Sequence, residues 1–219
     1  MIRLLLRLTL PLIALFIGAL TVIHAQTVQG DVRHFLLPAQ GCAMPCWQGI
    51  QPGVTTLAQA RANLDGNPWV EHVRVIERAP YTYLYWDWSA RKPAFVGASG
   101  AFLPPIMWSQ DGIIQLIFIP TALSYGEVSL LLGMPDRGSS QASYPKSLGL
   151  VNLPNTHHIA AYFGGKVSFD MQMVCPVNLE RFWNAPVTIT YSSPSLKQAL
   201  PVTLNDDLAH WNYGRSCSA

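Results

Sequence analysis

Four cysteines, six histidines and twelve carboxylates are the side chains through which this chain could do chemistry. The acid–histidine cluster of most interest is Asp206-Asp207-Leu208-Ala209-His210. On a helix, either aspartate would lie beside His210, at i+4 or i+3, where the pair could hold a metal or relay a proton. The preceding Asn205 favours a plainer reading. Asn-Asp-Asp is a helix start, with a capping side chain and negative charge against the positive end of the helix dipole. An exported hydrolase using His210 with Asp206 or Asp207 stays the alternative. His157 and His158 are adjacent, so on a strand they point to opposite faces and cannot chelate one ion. Ser143-Tyr144-Pro145-Lys146 spells the S-x-x-K of acyl-enzyme chemistry, but Pro145 sits inside the turn that would bring the amine to the hydroxyl. Val96-Gly97-Ala98-Ser99-Gly100 lacks the spacing of a nucleophile elbow. These residues assign no catalytic, cofactor-binding or metal site, and no cofactor is expected.

The cysteines carry a different chemistry. Cys42, Cys46, Cys175 and Cys217 are even in number, as a disulfide framework requires. A zinc site would need a second close pair or a nearby histidine, and neither exists. Cys42 and Cys46 are four apart with Pro45 bending the chain, within the reach of a bridge. Elimination then pairs Cys175 with Cys217, tying down a chain end that would otherwise fray. The crossed pairings remain physically open.

Disulfides need an oxidising compartment, and the N-terminus points to one. Arg3 and Arg7 precede an uncharged stretch from Leu8 to Ile23, and Ala25 follows as a small residue at a cleavage position. Residues 1–25 therefore read as a signal peptide or, if uncut, a membrane anchor. Either way the arginines stay inside and residues 26–219 lie outside the cytoplasm. Without Arg3 and Arg7 the cationic and anionic side chains balance. No basic stripe is visible, which excludes nucleic acid as a partner. Charged residues are 12% of the chain, about half the usual ~25%, so there is ample apolar material for a core.

The elements that position these residues follow from local pattern. Residues 26–41 read as irregular. Thr55 or Thr56 caps a helix over Leu57–Leu64, with Leu57, Ala60 and Leu64 on one face. Strands are expected at 70–77, 81–88, 106–108 and 113–119, the last two joined at Asp111-Gly112. Ser124 and Glu127 form a capping box for a second helix that ends at Gly133-Met134-Pro135. Residues 138–156 read as a loop. Further strands lie at 159–163, 166–173 and 187–191. The order implies one exported α+β domain of two helix-then-antiparallel-strand units, a degenerate internal duplication, with lobes at 42–120 and 121–219. Tyr81, Tyr83 and Tyr85 form a row on one face of their strand, read as packing first, with stacking on a sugar or peptide as the second use.

The run Cys42-x-x-Pro45-Cys46-Trp47-x-Gly49-Ile50-x-Pro52-Gly53-x-Thr55 resembles a motif of exported bacterial proteins of unknown function. Pro52-Gly53-Val54-Thr55 and Leu132-Gly133-Met134-Pro135 resemble the rhythm of SmpA/OmlA-type envelope lipoprotein domains, although the lipidated cysteine of that type is missing. These resemblances imply a non-catalytic envelope module, and fold analogy alone carries no activity. The expectation is an envelope protein that binds an unknown envelope protein or ligand or serves structure, attached to the membrane through residues 1–25 if they are retained.

Overall fold

The computed structural model describes residues 13, 15–18, 28–38, 41–97, 104–143, 155–194 and 196. The chain forms two compact units, Met1–Leu36 and Leu37–Ala219. In the first, Val28–Leu36 is a helix, α1, where an irregular segment was expected. Val32, Phe35 and Leu36 are its buried residues. With Val28 they fall at i, i+4, i+7 and i+8, a helical period that Gly30 and the short length obscure in the sequence.

The second unit is α+β but mostly sheet. Its helices are α2 (Leu57–Asp65), α3 (Tyr125–Leu132) and the short α4 (Leu179–Trp183). Its strands are β1 (Val70–Arg78), β2 (Tyr81–Trp88), β3 (Ile106–Gln110), β4 (Ile113–Ser124), β5 (Arg137–Ser143), β6 (Asn155–Tyr162), β7 (Val167–Val174) and β8 (Pro186–Ser192). All eight form one antiparallel sheet in the order β1-β2-β3-β4-β8-β7-β6-β5. Both expected lobes contribute to this sheet. The segment expected as a loop at 138–156 takes in all of β5 but Arg137 and the first two residues of β6, and the β5 sequence RGSSQAS has no apolar alternation. β5 is an edge strand, held by pairing with β6, so it needs none.

Local chemistry fixes the element ends. The Thr56 side chain accepts the Gln59 N–H, and the Gln59 side chain accepts the Thr56 N–H at 3.0 Å. Ser124 and Glu127 do the same for α3, with Glu127 Oε2 taking the Ser124 N–H at 2.8 Å. Each box satisfies backbone donors that a helix start leaves open. Asp111 and Gly112 both take positive φ, 52° and 74°. That is the turn whose twist matches a tight hairpin, here between β3 and β4.

The core lies on one face of the sheet. Leu84, Trp86, Met107, Ile114, Ile117, Ile119, Ile189 and Tyr191 are all fully buried there. Ala60 and Leu64 of α2 and Tyr125 and Val128 of α3 are buried as well. Trp47 stacks on Trp86 at 5.6 Å, and Trp88 meets both rings edge-on. No helix among the described residues is long and apolar enough to cross a membrane.

Candidate binding face

The strand period of two sorts every residue of β1–β4 onto one of two faces. On β2, Leu84 and Trp86 go to the core, while Tyr81, Tyr83 and Tyr85 form a row on the opposite face, all half-buried. Register then decides their neighbours. Tyr83 faces Ile76 on β1 and Trp108 on β3, and Tyr85 faces Ile106. Trp108 in turn faces Leu116 on β4, and Ile106 faces Phe118. Ile106, Trp108, Leu116 and Phe118 are half-buried, and Ile76 is 43% exposed.

The outer face of the first four strands is therefore apolar and aromatic. Tyr81 packs against Trp108 at 4.9 Å and against Tyr83 at 6.4 Å. Tyr83, Ile106, Trp108, Leu116 and Phe118 surround a depression of about 220 Å³ with apolar walls. Trp108 Nε1 is sealed from water with no acceptor among the described residues. By register, Arg74 and Arg78 on β1 stand opposite Tyr85 and Tyr81. Arg74 pairs with Asp87 at 3.0 Å, and that pair is exposed. The face continues over β8 and β7 with Thr188, Thr190, Ser192, Ser168 and Asp170, which are polar. A contiguous apolar patch bordered by polar and arginine side chains has the make-up of an interaction surface.

The cysteine–tryptophan motif has a structural meaning. Cys42 and Cys46 form a disulfide with Cα atoms 6.1 Å apart. Trp47 and Ile50 exchange both backbone hydrogen bonds, at 3.0 and 2.9 Å, around Gln48 and Gly49. Both central residues have positive φ, 50° and 78°, which accounts for the glycine. The turn drives Trp47 and Ile50 into the core, 1% and 0% exposed. The Gly53 N–H donates to the Ile114 carbonyl at 2.7 Å, and the Leu57 N–H donates to that of Gly112 at 2.8 Å. A Cβ on Gly53 would stand 3.1 Å from that of Ser193, at a φ of +84° that side chains rarely adopt. The motif is thus a clamp that seats α2 on the β3–β4 hairpin. Cys175 is also disulfide-bonded. Its expected partner, Cys217, lies outside the described residues, as do Ser99, Tyr144, Pro145, Lys146, Asp206, Asp207 and His210.

The two histidines do point to opposite faces. His157 is on the outer face, its Nδ1 3.7 Å from Asp170 Oδ1. Burial raises the Asp170 pKa, against the smaller pull of His157. His158 is on the core face, 2% exposed, with Ser140 Oγ 2.6 Å from its Nδ1. Burial lowers the His158 pKa to about 4, so the ring is neutral near pH 7. A hydroxyl against a neutral imidazole has the form of a nucleophile and its base. Here Phe182 and Tyr125 pack on the imidazole at 5.4 and 6.2 Å, while Ser140 itself is exposed on the edge strand. We read the pair as a buried imidazole given its hydrogen bond. This juxtaposition depends on β5 pairing with β6 and has no local signal in the sequence. Among the described residues no group of histidine, cysteine and carboxylate side chains could hold a metal.

No family model matches the chain, and no curated protein and no solved structure matches it.

Proposed function

We propose that this chain is an exported cell-envelope protein that works by binding, through the outer face of β1–β4. The observation that carries the reading is the apolar surface formed by Tyr83, Ile106, Trp108, Leu116 and Phe118 opposite the core. An antiparallel sheet with one solvated face ordinarily makes that face polar. The second half of this sheet does so with threonine, serine and aspartate, and the first half does not. Apolar side chains left partly exposed on one half alone suit a surface that another molecule covers.

Export rests on the basic and apolar pattern of residues 1–25. Within it Ile13, Leu15, Phe16 and Ile17 are helical and 54–75% exposed. The Cys42–Cys46 bridge suits an oxidising compartment. We also read the two halves as copies of one unit. Each starts with a boxed helix, α2 or α3, and each half contributes four consecutive strands. They meet through their last strands, β4 and β8, as a two-fold axis between them would require. To test export, residues 1–40 are fused to a reporter that is active only outside the cytoplasm. Reporter activity is expected, and a silent, stably made fusion would refute export. Mass spectrometry of the mature N-terminus distinguishes cleavage after Ala25 from a retained anchor.

A further inference from the structure

We propose that the depression among Tyr83, Ile106, Trp108, Leu116 and Phe118 receives one apolar side chain of an acidic protein segment. This rests on the binding reading above and names the class of partner. Size is the first argument: a depression of about 220 Å³ is too small for a drug-sized ligand and holds a single branched or aromatic side chain. Wall chemistry is the second. The walls are apolar, so a sugar ring placed there would strip its hydroxyls of water and gain no hydrogen bonds in return. An aliphatic or phenyl group has no such cost, and anchors of this kind in desolvated pockets dominate protein interfaces.

Charge is the third argument. On the outer face of β1 and β2, Arg74 and Arg78 stand against a single carboxylate, Asp87, which is already paired with Arg74. Arg78 lies exposed one strand beyond the tyrosine row. With Arg74 paired, Arg78 is the cationic group on the β1 side of the depression, and Asp170 beside His157 stands on the far side, across β8. A segment that sets its apolar residue in the depression and carboxylates towards β1 would meet Arg78, and a basic segment in that position would be repelled.

The test uses the full chain labelled with ¹⁵N at its tryptophan indoles. The probe is a capped pentapeptide with phenylalanine between two acidic residues on each side. Its controls carry serine in place of phenylalanine, or basic residues in place of acidic ones. A chitin tetrasaccharide and anionic phospholipid vesicles stand for the other ligand classes. The acidic phenylalanine peptide is expected to shift the Trp108 resonance and to bind at least tenfold more tightly than either control peptide. Leu116→Asp should abolish the shift, and Arg78→Glu should weaken binding severalfold. If Leu116→Asp does not melt cooperatively, Leu116→Ser replaces it with a tenfold loss expected. Equal binding of a control peptide, a Trp108 shift from the saccharide or vesicles alone, or no shift from any peptide would overturn the proposal. A protein cross-linked through position 116 in cells, with no acidic-peptide binding, would refute the partner class and leave the binding reading standing.

Discussion

Replacing His158 with phenylalanine should remove a specific loss of stability in acid. His158 is 2% exposed between Phe182 and Tyr125, and burial holds its pKa near 4 against an ordinary 6.5. The unfolded chain therefore binds a proton at pH 6.5 that the folded chain refuses until about pH 4. Stability from this group is whole above pH 6.5, declines as the pH falls towards 4, and is level below that. The gap between the two pKa values corresponds to about 3 kcal/mol at 1.36 kcal/mol per unit. For a domain of this size that is roughly 6–12 °C in unfolding midpoint. Asp170, on the neighbouring strand's outer face, has a raised pKa and so favours the folded state as the pH falls. It is present in both proteins and cancels on subtraction. The His158→Phe variant also loses the Ser140 contact, a constant offset, so the readout is the slope and not the level. Denaturant unfolding of both proteins at about pH 7.5, 5.5 and 4 measures it. Parallel profiles would refute the reasoning and place His158 in contact with water.

Adjacent residues of β4 should behave oppositely: Ile117→Ala, on the covered face at 0% exposure, should cost roughly 2–5 kcal/mol. Leu116→Ser, on the outer face, should cost less, roughly 1–2 kcal/mol, because part of that side chain still meets water in the folded chain. Equal losses in calorimetry would mean that both faces are core. Ser124→Ala should destabilise by about 1 kcal/mol through loss of the cap on α3, and Thr56→Ala by a similar amount through α2. An unchanged melting temperature in either variant would show that its box is not formed. Removing the Cys42–Cys46 bridge in Cys42→Ser/Cys46→Ser should cost about 2 kcal/mol from the short loop it closes. It should also alter tryptophan fluorescence as Trp47 loosens from Trp86, and an unaltered spectrum would argue against the clamp.

What the sequence makes legible here is local. Asp111-Gly112, the Ser124/Glu127 box and the Thr56 cap are written in residues that hydrogen-bond within a few positions of each other. The alternation of Tyr81, Tyr83 and Tyr85 places a tyrosine row on one face, and β2 has that row. Its neighbours are another matter. Trp108, Leu116 and Phe118 join the row only through the registers of β2 with β3 and β3 with β4, and no short window contains that pairing. β4 runs to Ser124, beyond the expected 119, although Pro120 lies inside it; its ladder with β8 shifts register just after that proline. β5 carries no apolar alternation because it is a polar edge. α4, at five residues, is too short to show a helical period.

Cross-linking at position 116 tests the central claim most directly. The full-length chain, with Leu116 replaced by the photoreactive benzoylphenylalanine, is made in cells, irradiated and resolved by size. The account predicts one discrete adduct with another protein, lost when Trp108→Ala is added and absent when the probe is moved to Ile117 on the core face. No intermolecular adduct at position 116, or an adduct insensitive to Trp108→Ala, would contradict the assignment of this face as the binding surface.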